Sequence, residues 1–316
     1  MSNPINASRP SEDGGATNTP ARITKLGSKQ TYYTFRILVS RDRLDDAYRA
    51  YAYFRWLDDQ LDSEGGTPIN KISLINRQCE LLDACYRKQP LTATCPEEQM
   101  LVDLVESDCE DSSGLQFYLR NMMAVMSFDV ERRGQLITQA ELTEYSRLLS
   151  SAVTELLFYF IDHDDLSPRN ADRYQAVRGA HIVHMLRDML DDIDLGYINL
   201  PREILDTHQV SLDNLDSPAF RKWVFERVKL AHQCFATGRK YFARVKSLRC
   251  RFAAYAYLAR FEWMLMVIER NKYRLHRAYP ERKSLRASGW MAWHVLMSVL
   301  NITGRKDITH PLPLPD

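Results

Sequence analysis

Glycine is scarce, at 12 of 316 residues. No Gly-rich phosphate loop occurs, which argues against a nucleotide-binding fold. Long hydrophobic runs are missing too. No segment approaches the roughly 18 consecutive apolar residues that a membrane-spanning helix needs. Charge of one sign is not in excess: the net charge is +1, so there is no electrostatic case for a nucleic-acid partner. The opening MSNPINASRPSEDGGATNTPAR has no charged and then apolar stretch of the secretory kind. Cys79, Cys85, Cys95, Cys109, Cys234 and Cys250 form no CxxC pair and no dense framework. Reduced thiols in a cytoplasmic setting are the expectation, with Cys79 and Cys85 as core filler.

What is present is helix. Apolar residues recur with a 3.6-residue period, and β-branched runs are few. The pattern predicts helices over about 29–38, 42–62, 69–87, 97–107, 115–126, 139–163, 171–193, 215–245, 250–275 and 285–301. Residues 1–24, rich in Ser, Asn, Pro, Gly and Thr, are expected to be disordered. A loose tail is expected over 306–316. No composition shift divides 25–305, so a single all-α domain with its site in the bundle centre is expected.

Two aspartate clusters stand out. Asp58, Asp59 and Asp62 lie in YAYFRWLDDQLD (51–62), and Asp188, Asp191 and Asp192 in HIVHMLRDMLDD (181–192). In both, the outer acids are four apart and stack on one helix face. Breaks follow each: Gly65-Gly66, and Gly196 then Pro201. The acids therefore sit near helix C-termini, where the macrodipole disfavours negative charge by about 0.3–1 kcal/mol each. Acids in that place want a cation, and two such sets facing each other would hold Mg²⁺. Tyr51, Arg55, Asp58 and Asp62 share one helix face, as do His181, His184, Asp188 and Asp192. Both stripes are set in apolar segments, so they are expected to line an internal cavity. A solvated acidic helix end is the plain alternative for either cluster alone.

SKQTYYTFRIL (28–38) followed by YAYFRWLDDQLD resembles the opening of the squalene/phytoene synthase family. LRDMLDDIDLGYINLP (186–201) resembles that family's second aspartate signature. Phe128-Asp129, Glu144-Tyr145 and the stretch from Ile268 to Tyr273 resemble its middle and late segments. The resemblance covers about 28–280. It implies an all-α isoprenoid synthase (class I terpenoid synthase) fold and head-to-head joining of two prenyl diphosphates, of fifteen or twenty carbons, through a cyclopropyl intermediate. It implies that Asp58, Asp62, Asp188 and Asp192 bind Mg²⁺, with Mn²⁺ as an alternative and Asp59 and Asp191 as second choices. It implies that Ser28, Lys29, Tyr51, Arg55 and Arg187 hold the diphosphate or ease its departure.

Such chemistry needs a hard cation on the leaving diphosphate, guanidinium forks on its oxygens and a dry aromatic wall for the carbocation. Tyr32, Tyr33, Phe35, Tyr51, Phe158, Tyr159, Phe160, Phe261 and Trp263 are the wall candidates.

The chain also departs from the family pattern. His181 and His184 stand where two amides are usual, and either could contact substrate or orient it. Leu149 to Glu155, with Thr154, replaces a glycine-containing stretch beside the prenyl chains. Glu155 adds a carboxylate facing the site or solvent. Phe261 replaces a Tyr, and Tyr197 an Arg. These changes leave open a terpene cyclase acting on one prenyl diphosphate, a hydrolase or hydratase in which a histidine steers water, and a non-catalytic relative. A need for NADPH cannot be read from the sequence. Oligomeric state is open, and Lys283–Trp293 is the segment to examine for peripheral membrane contact.

Overall fold

The computed structural model describes residues 19–63, 67–162, 167–208, 210–212 and 214–300. The described residues form twelve α-helices: α1 (Pro20–Gly27), α2 (Lys29–Leu38), α3 (Leu44–Asp62), α4 (Pro68–Tyr86), α5 (Pro96–Glu106), α6 (Gly114–Arg132), α7 (Gln139–Ile161), α8 (Gln175–Asp194), α9 (Arg202–His208), α10 (Pro218–Phe242), α11 (Leu248–Arg270) and α12 (Leu285–Val299). Among these residues the only β pairing is a bridge between Leu136 and Ile198. No described helix is long and apolar enough to cross a membrane.

Side-chain caps start most of these helices. Ser28, Thr67, Ser113, Ser217, Ser247 and Ser284 each accept a hydrogen bond from a backbone N–H of the first turn. Thr138 and Glu141 form a full capping box on α7. Each such cap is worth about 1 kcal/mol. Proline at the first positions of α4, α5 and α10 gives up an N–H that would be unbonded anyway.

Two large apolar clusters make up the core. One is built from α7, α8, α10 and α11, with Ile182, Val183, Phe220, Phe235, Leu258 and Leu265 among its buried members. The other is built from α3 to α6, with Tyr53, Leu57, Leu81, Leu101 and Leu119. Helix α7 serves both: Phe158 and Ile161 face the first, Ala152, Tyr159 and Phe160 the second. The two clusters meet across α3, α6, α7 and α8, and the cavity lies between those helices.

The helical pattern of the sequence holds, with four corrections. Residues 20–24, expected to be disordered, form most of α1. Pro20 opens it, Thr24 is fully buried and bonds back to the Pro20 carbonyl, and Ile23 packs on the core beside α3. Tertiary packing there overrides a polar local composition. Helix α6 runs on to Arg132 instead of ending at 126, and α9 was not anticipated. Helix α11 stops at Arg270, short of 275, because Lys272 and Tyr273 take positive φ of 54° and 61°. The stretches 1–18 and 301–316 lie outside the described residues. Cys79 and Cys85 are partly buried on α4.

Helices α8 and α10 cross at van der Waals contact. A Cβ on Gly238 would meet the Ala176 backbone nitrogen at 2.6 Å, and one on Gly179 would meet Phe235 at 2.8 Å. Gly238→Ala should destabilise the protein by about 1–3 kcal/mol through overpacking. Gly289→Ala, in open space on α12, should stabilise by up to about 1 kcal/mol. Thermal melts of both variants check the pair; an undiminished Tm for Gly238→Ala would refute the close crossing.

Candidate active site

A cavity of about 1060 Å³ opens between α3, α6, α7 and α8. Tyr51, Arg55, Asp58 and Asp62 line one wall from α3. His181, His184, Asp188 and Asp192 line the other from α8. Both stripes therefore face one space, as their helical spacing requires. Neither α3 nor α8 carries a basic residue in its last turn to answer the helix dipole.

The electrostatics of the two walls differ. Burial and the like charge of Asp62 push Asp58 above the usual carboxylate range, with Arg55 opposing. Burial and the neighbouring Asp188 raise Asp192 to about 6. Burial would raise Asp188 as well, but hydrogen bonds from Arg187 and His184 outweigh it and hold that acid well below the usual range. Arg187 grips Asp188 through two N–H groups, and His184 Nε2 lies 2.9 Å from the same carboxylate. One acid on each wall, Asp58 and Asp192, is thus pushed up, Asp58 with Arg55 3.5 Å away, while Asp188 is held down by its two partners.

A second group of residues supports the α8 wall. Arg132 donates to Asp129 (2.7 Å) and to Asn199 (2.7 Å); Asn199 donates to Asp192 (3.0 Å); Tyr145 donates to Asp129 (3.0 Å). The turn that presents Asn199 depends on Gly196 (φ 88°), whose carbonyl accepts from the N–H of Gly134 (φ 78°), 2.8 Å away. Asp129, Arg132, Tyr145, Asn199, Lys71 and Arg133 all line the cavity and were absent from the sequence-based site, whereas Tyr197, noted there as a departure from the family pattern, lines it too. Asp129 and Tyr145 lie within segments that carried the family resemblance, which was the available signal. Lys71 and Arg133 had none.

Several expected residues lie elsewhere. Ser28 caps α2, accepting from the Thr31 N–H at 3.1 Å, and Lys29 is exposed; neither lines the cavity. Their segment is close by, since a Cβ on Gly27 would stand 3.0 Å from the Tyr51 hydroxyl. Arg187 is turned onto Asp188 and does not line the cavity. Asp59 is taken up by Arg55, and Asp191 by Arg277. Thr154 is fully buried outside the lining, its hydroxyl unpartnered. Phe261 packs behind His184, ring centroids 6.4 Å apart. Glu155 faces neither site nor solvent: it is buried and paired with Arg173 (2.7 Å), with Tyr174 donating at 3.0 Å.

The wall aromatics also needed correction. Of the nine candidates only Tyr51 lines the cavity, because Phe158, Tyr159 and Phe160 point into the two cores. The aromatic lining is Tyr51, Phe54, Tyr118, Tyr145 and Tyr197, with Met122, Val125, Met126 and Leu149 supplying apolar surface.

The donor set suits a hard divalent ion, being all carboxylate oxygen. Among the described residues no three such side chains converge on a point where they alone would hold a metal. Carboxylates offered from two walls fit Mg²⁺ by donor type, since that ion takes one or two carboxylates together with substrate phosphate oxygens.

A profile of the squalene/phytoene synthase family matches residues 24–288. The chain belongs to that family. A presqualene diphosphate synthase from Zymomonas mobilis is 23% identical over 203 residues, which is 63% of this chain and 65% of that relative. The squalene synthase HpnC from Alicyclobacillus acidocaldarius superposes with a TM-score of 0.65 at 19% identity, over 81% of this chain and 94% of that one. A dehydrosqualene synthase solved with a ligand gives 0.65 at 16% identity, over 90% and 96%. The fold is the all-α isoprenoid synthase bundle of these enzymes.

With Asp192 raised to about 6, its folded pKa exceeds the unfolded value near 3.9. Its contribution to stability is then complete below pH 4 and is lost as pH rises through 6. Asp192→Asn should therefore stabilise the metal-free protein at pH 7.5 by about 1–2 kcal/mol after discounting for solvent screening, and leave it unchanged at pH 4. Melts at the two pH values check this; a pH-independent difference would contradict the strained carboxylate pair.

Proposed function

We propose that this chain is a Mg²⁺-dependent prenyltransferase that joins two allylic prenyl diphosphates head to head, releasing diphosphate. The observation that carries the reading is the meeting of two DxxxD helix ends over one apolar cavity. Family membership supports it. The cavity volume also supports it: 1060 Å³ stands at the upper limit of the roughly 300–1,000 Å³ usual for one small ligand. Two fifteen-carbon chains, or two of twenty, are the proposed substrates.

In this reading Asp58 and Asp62 hold Mg²⁺ on the α3 wall, and Asp188 and Asp192 on the α8 wall. Mg²⁺ supplies neutralisation of the negative charge that builds on the departing diphosphate. Arg55, Lys71 and Arg133 line the same mouth and offer N–H donors to phosphate oxygens. Arg132 is committed to Asp129 and Asn199, and so orients Asp192 through that chain of bonds. Arg187 and His184 fix the Asp188 carboxylate. Below the acids, Phe54, Tyr118, Met122, Val125 and Met126 receive the prenyl chains and exclude bulk water. The tyrosine and phenylalanine faces stabilise the carbocation, by on the order of 2 kcal/mol when desolvated.

Purified protein with Mg²⁺ and ten-, fifteen- or twenty-carbon prenyl diphosphate, with and without NADPH, should yield a product of doubled carbon number by mass spectrometry. Asp58→Ala and Asp188→Ala should each lower turnover by about 100-fold or more, some 2.7 kcal/mol of barrier. Chelation of the metal should abolish it. Undiminished turnover in both variants would refute the assignment of the acids. A product of unchanged carbon number would replace coupling by cyclisation or hydrolysis of one substrate.

A further inference from the structure

Helix α12 is apolar on both sides. Its inward side packs on α11: Ala287 and Val295 are buried, and the Trp290 ring lies 5.6 Å from that of Trp263. On the outward side Leu285, Trp293, Leu296 and Leu300 are 92%, 59%, 51% and 53% exposed. With Gly289 and Ala292 they follow i, i+4, i+7, i+8, i+11 and i+15. That spacing makes one stripe about 100° wide, and no charged residue falls within it. A surface helix turns such a stripe to the core. Here a second stripe faces away from it, and among the described residues nothing covers it. Single exposed leucines are ordinary on a protein surface, but a continuous line of them around a tryptophan marks an interaction face.

The charge around the stripe says what fits it. Arg282, Lys283 and Arg286 are exposed at its start, and residues 282–300 contain no acid. At its far end Arg251 donates to the Val299 carbonyl at 3.3 Å, which brings the start of α11 alongside. Lys246, Leu248 and Phe252 are exposed there, and no acid occurs between Glu226 and Glu262. In a chain of net charge +1, this face is positive at both ends and apolar along its length. A second copy of the chain fits it poorly, because base would oppose base in either orientation. Anionic lipid headgroups above acyl chains answer both parts, phosphate for the bases and hydrocarbon for the stripe. No described helix can cross a bilayer, so α12 would lie along one.

We propose that the outward face of α12, with the bases at its two ends, docks this protein on an anionic membrane surface. Leu285, Trp293, Leu296 and Leu300 enter the boundary between headgroups and acyl chains. Lys283, Arg286 and Lys246 meet lipid phosphates. The docking does not depend on the reaction assigned above. If coupling holds, docking brings the enzyme to where amphiphilic prenyl diphosphates collect.

The test is flotation of the purified chain with vesicles of phosphatidylcholine alone and of phosphatidylcholine with about one-third phosphatidylglycerol. Wild type should partition onto the anionic vesicles at least about tenfold better than onto the neutral ones, and lose that advantage at about 1 M salt. Trp293→Gln/Leu296→Gln and Lys283→Gln/Arg286→Gln should each weaken binding to the anionic vesicles by at least about fivefold. All four side chains are exposed, so both variants should fold, and their thermal melts check this. Should either fail to fold, the wild-type comparison of the two vesicles decides. Equal partition onto both vesicles, or onto neither, would overturn the proposal. Undiminished binding by both variants would overturn it as well. A dimer that forms without lipid and is dissolved by Trp293→Gln/Leu296→Gln would overturn it and give the face to a second copy. Turnover without vesicles is read separately, so the coupling reading stands or falls apart from this one.

Discussion

Carboxylates held close together at the ends of two helices are the constraint on which the rest of this structure depends. Asp58 and Asp62 end α3, and Asp188 and Asp192 stand in the last two turns of α8, with no basic residue in either last turn. The helix dipoles disfavour negative charge at these ends, and burial together with a neighbouring acid pushes Asp58 and Asp192 upward. A protein shaped only for stability would not keep this arrangement. On the proposed function, a divalent cation and its bound phosphates would relieve that strain, so the cost in the metal-free protein would be the source of affinity in the loaded one.

The surrounding architecture keeps those acids in place. Glycines at 179 and 238 let α8 press against α10, fixing the height and rotation of the α8 wall. Gly134 and Gly196 allow two turns to meet, which carries Asn199 to Asp192 and Arg132 to Asn199. Arg187 and His184 pin Asp188 from its own helix. The two acids of α8 are thus held from different sides, one from the loop and one from the helix. Of the two, Asp192 keeps the unmet demand for positive charge.

What could be read from the sequence followed from periodicity. The i, i+4, i+7, i+11 spacing of Tyr51, Arg55, Asp58 and Asp62 put them on one face, and the cavity lies on that face. The same holds for the stripe from His181 to Asp192. Contacts set by tertiary geometry were not legible. Periodicity could not tell which side of α7 met the cavity, so Tyr159 and Phe160 were placed in the wall while they fill a core. Glu155 offered no local sign that Arg173, 18 residues on, would neutralise it. The helix α1 has a polar composition, and only its packing on α3 makes it a helix. Arg133 and Lys71 enter the site through a turn and a following helix, which no spacing rule connects to the acids.

The central claim is that the two aspartate walls act as one site for a metal-bound diphosphate. The most direct measurement is the thermal stability of the protein with Mg²⁺, with inorganic pyrophosphate, and with both. The account predicts that the two together raise Tm by clearly more than the sum of their separate effects, since metal and phosphate oxygens complete each other's coordination. Asp58→Ala and Asp188→Ala should each abolish that excess, though they lie on opposite walls. A merely additive shift, or an excess that survives either substitution, would contradict a single shared site.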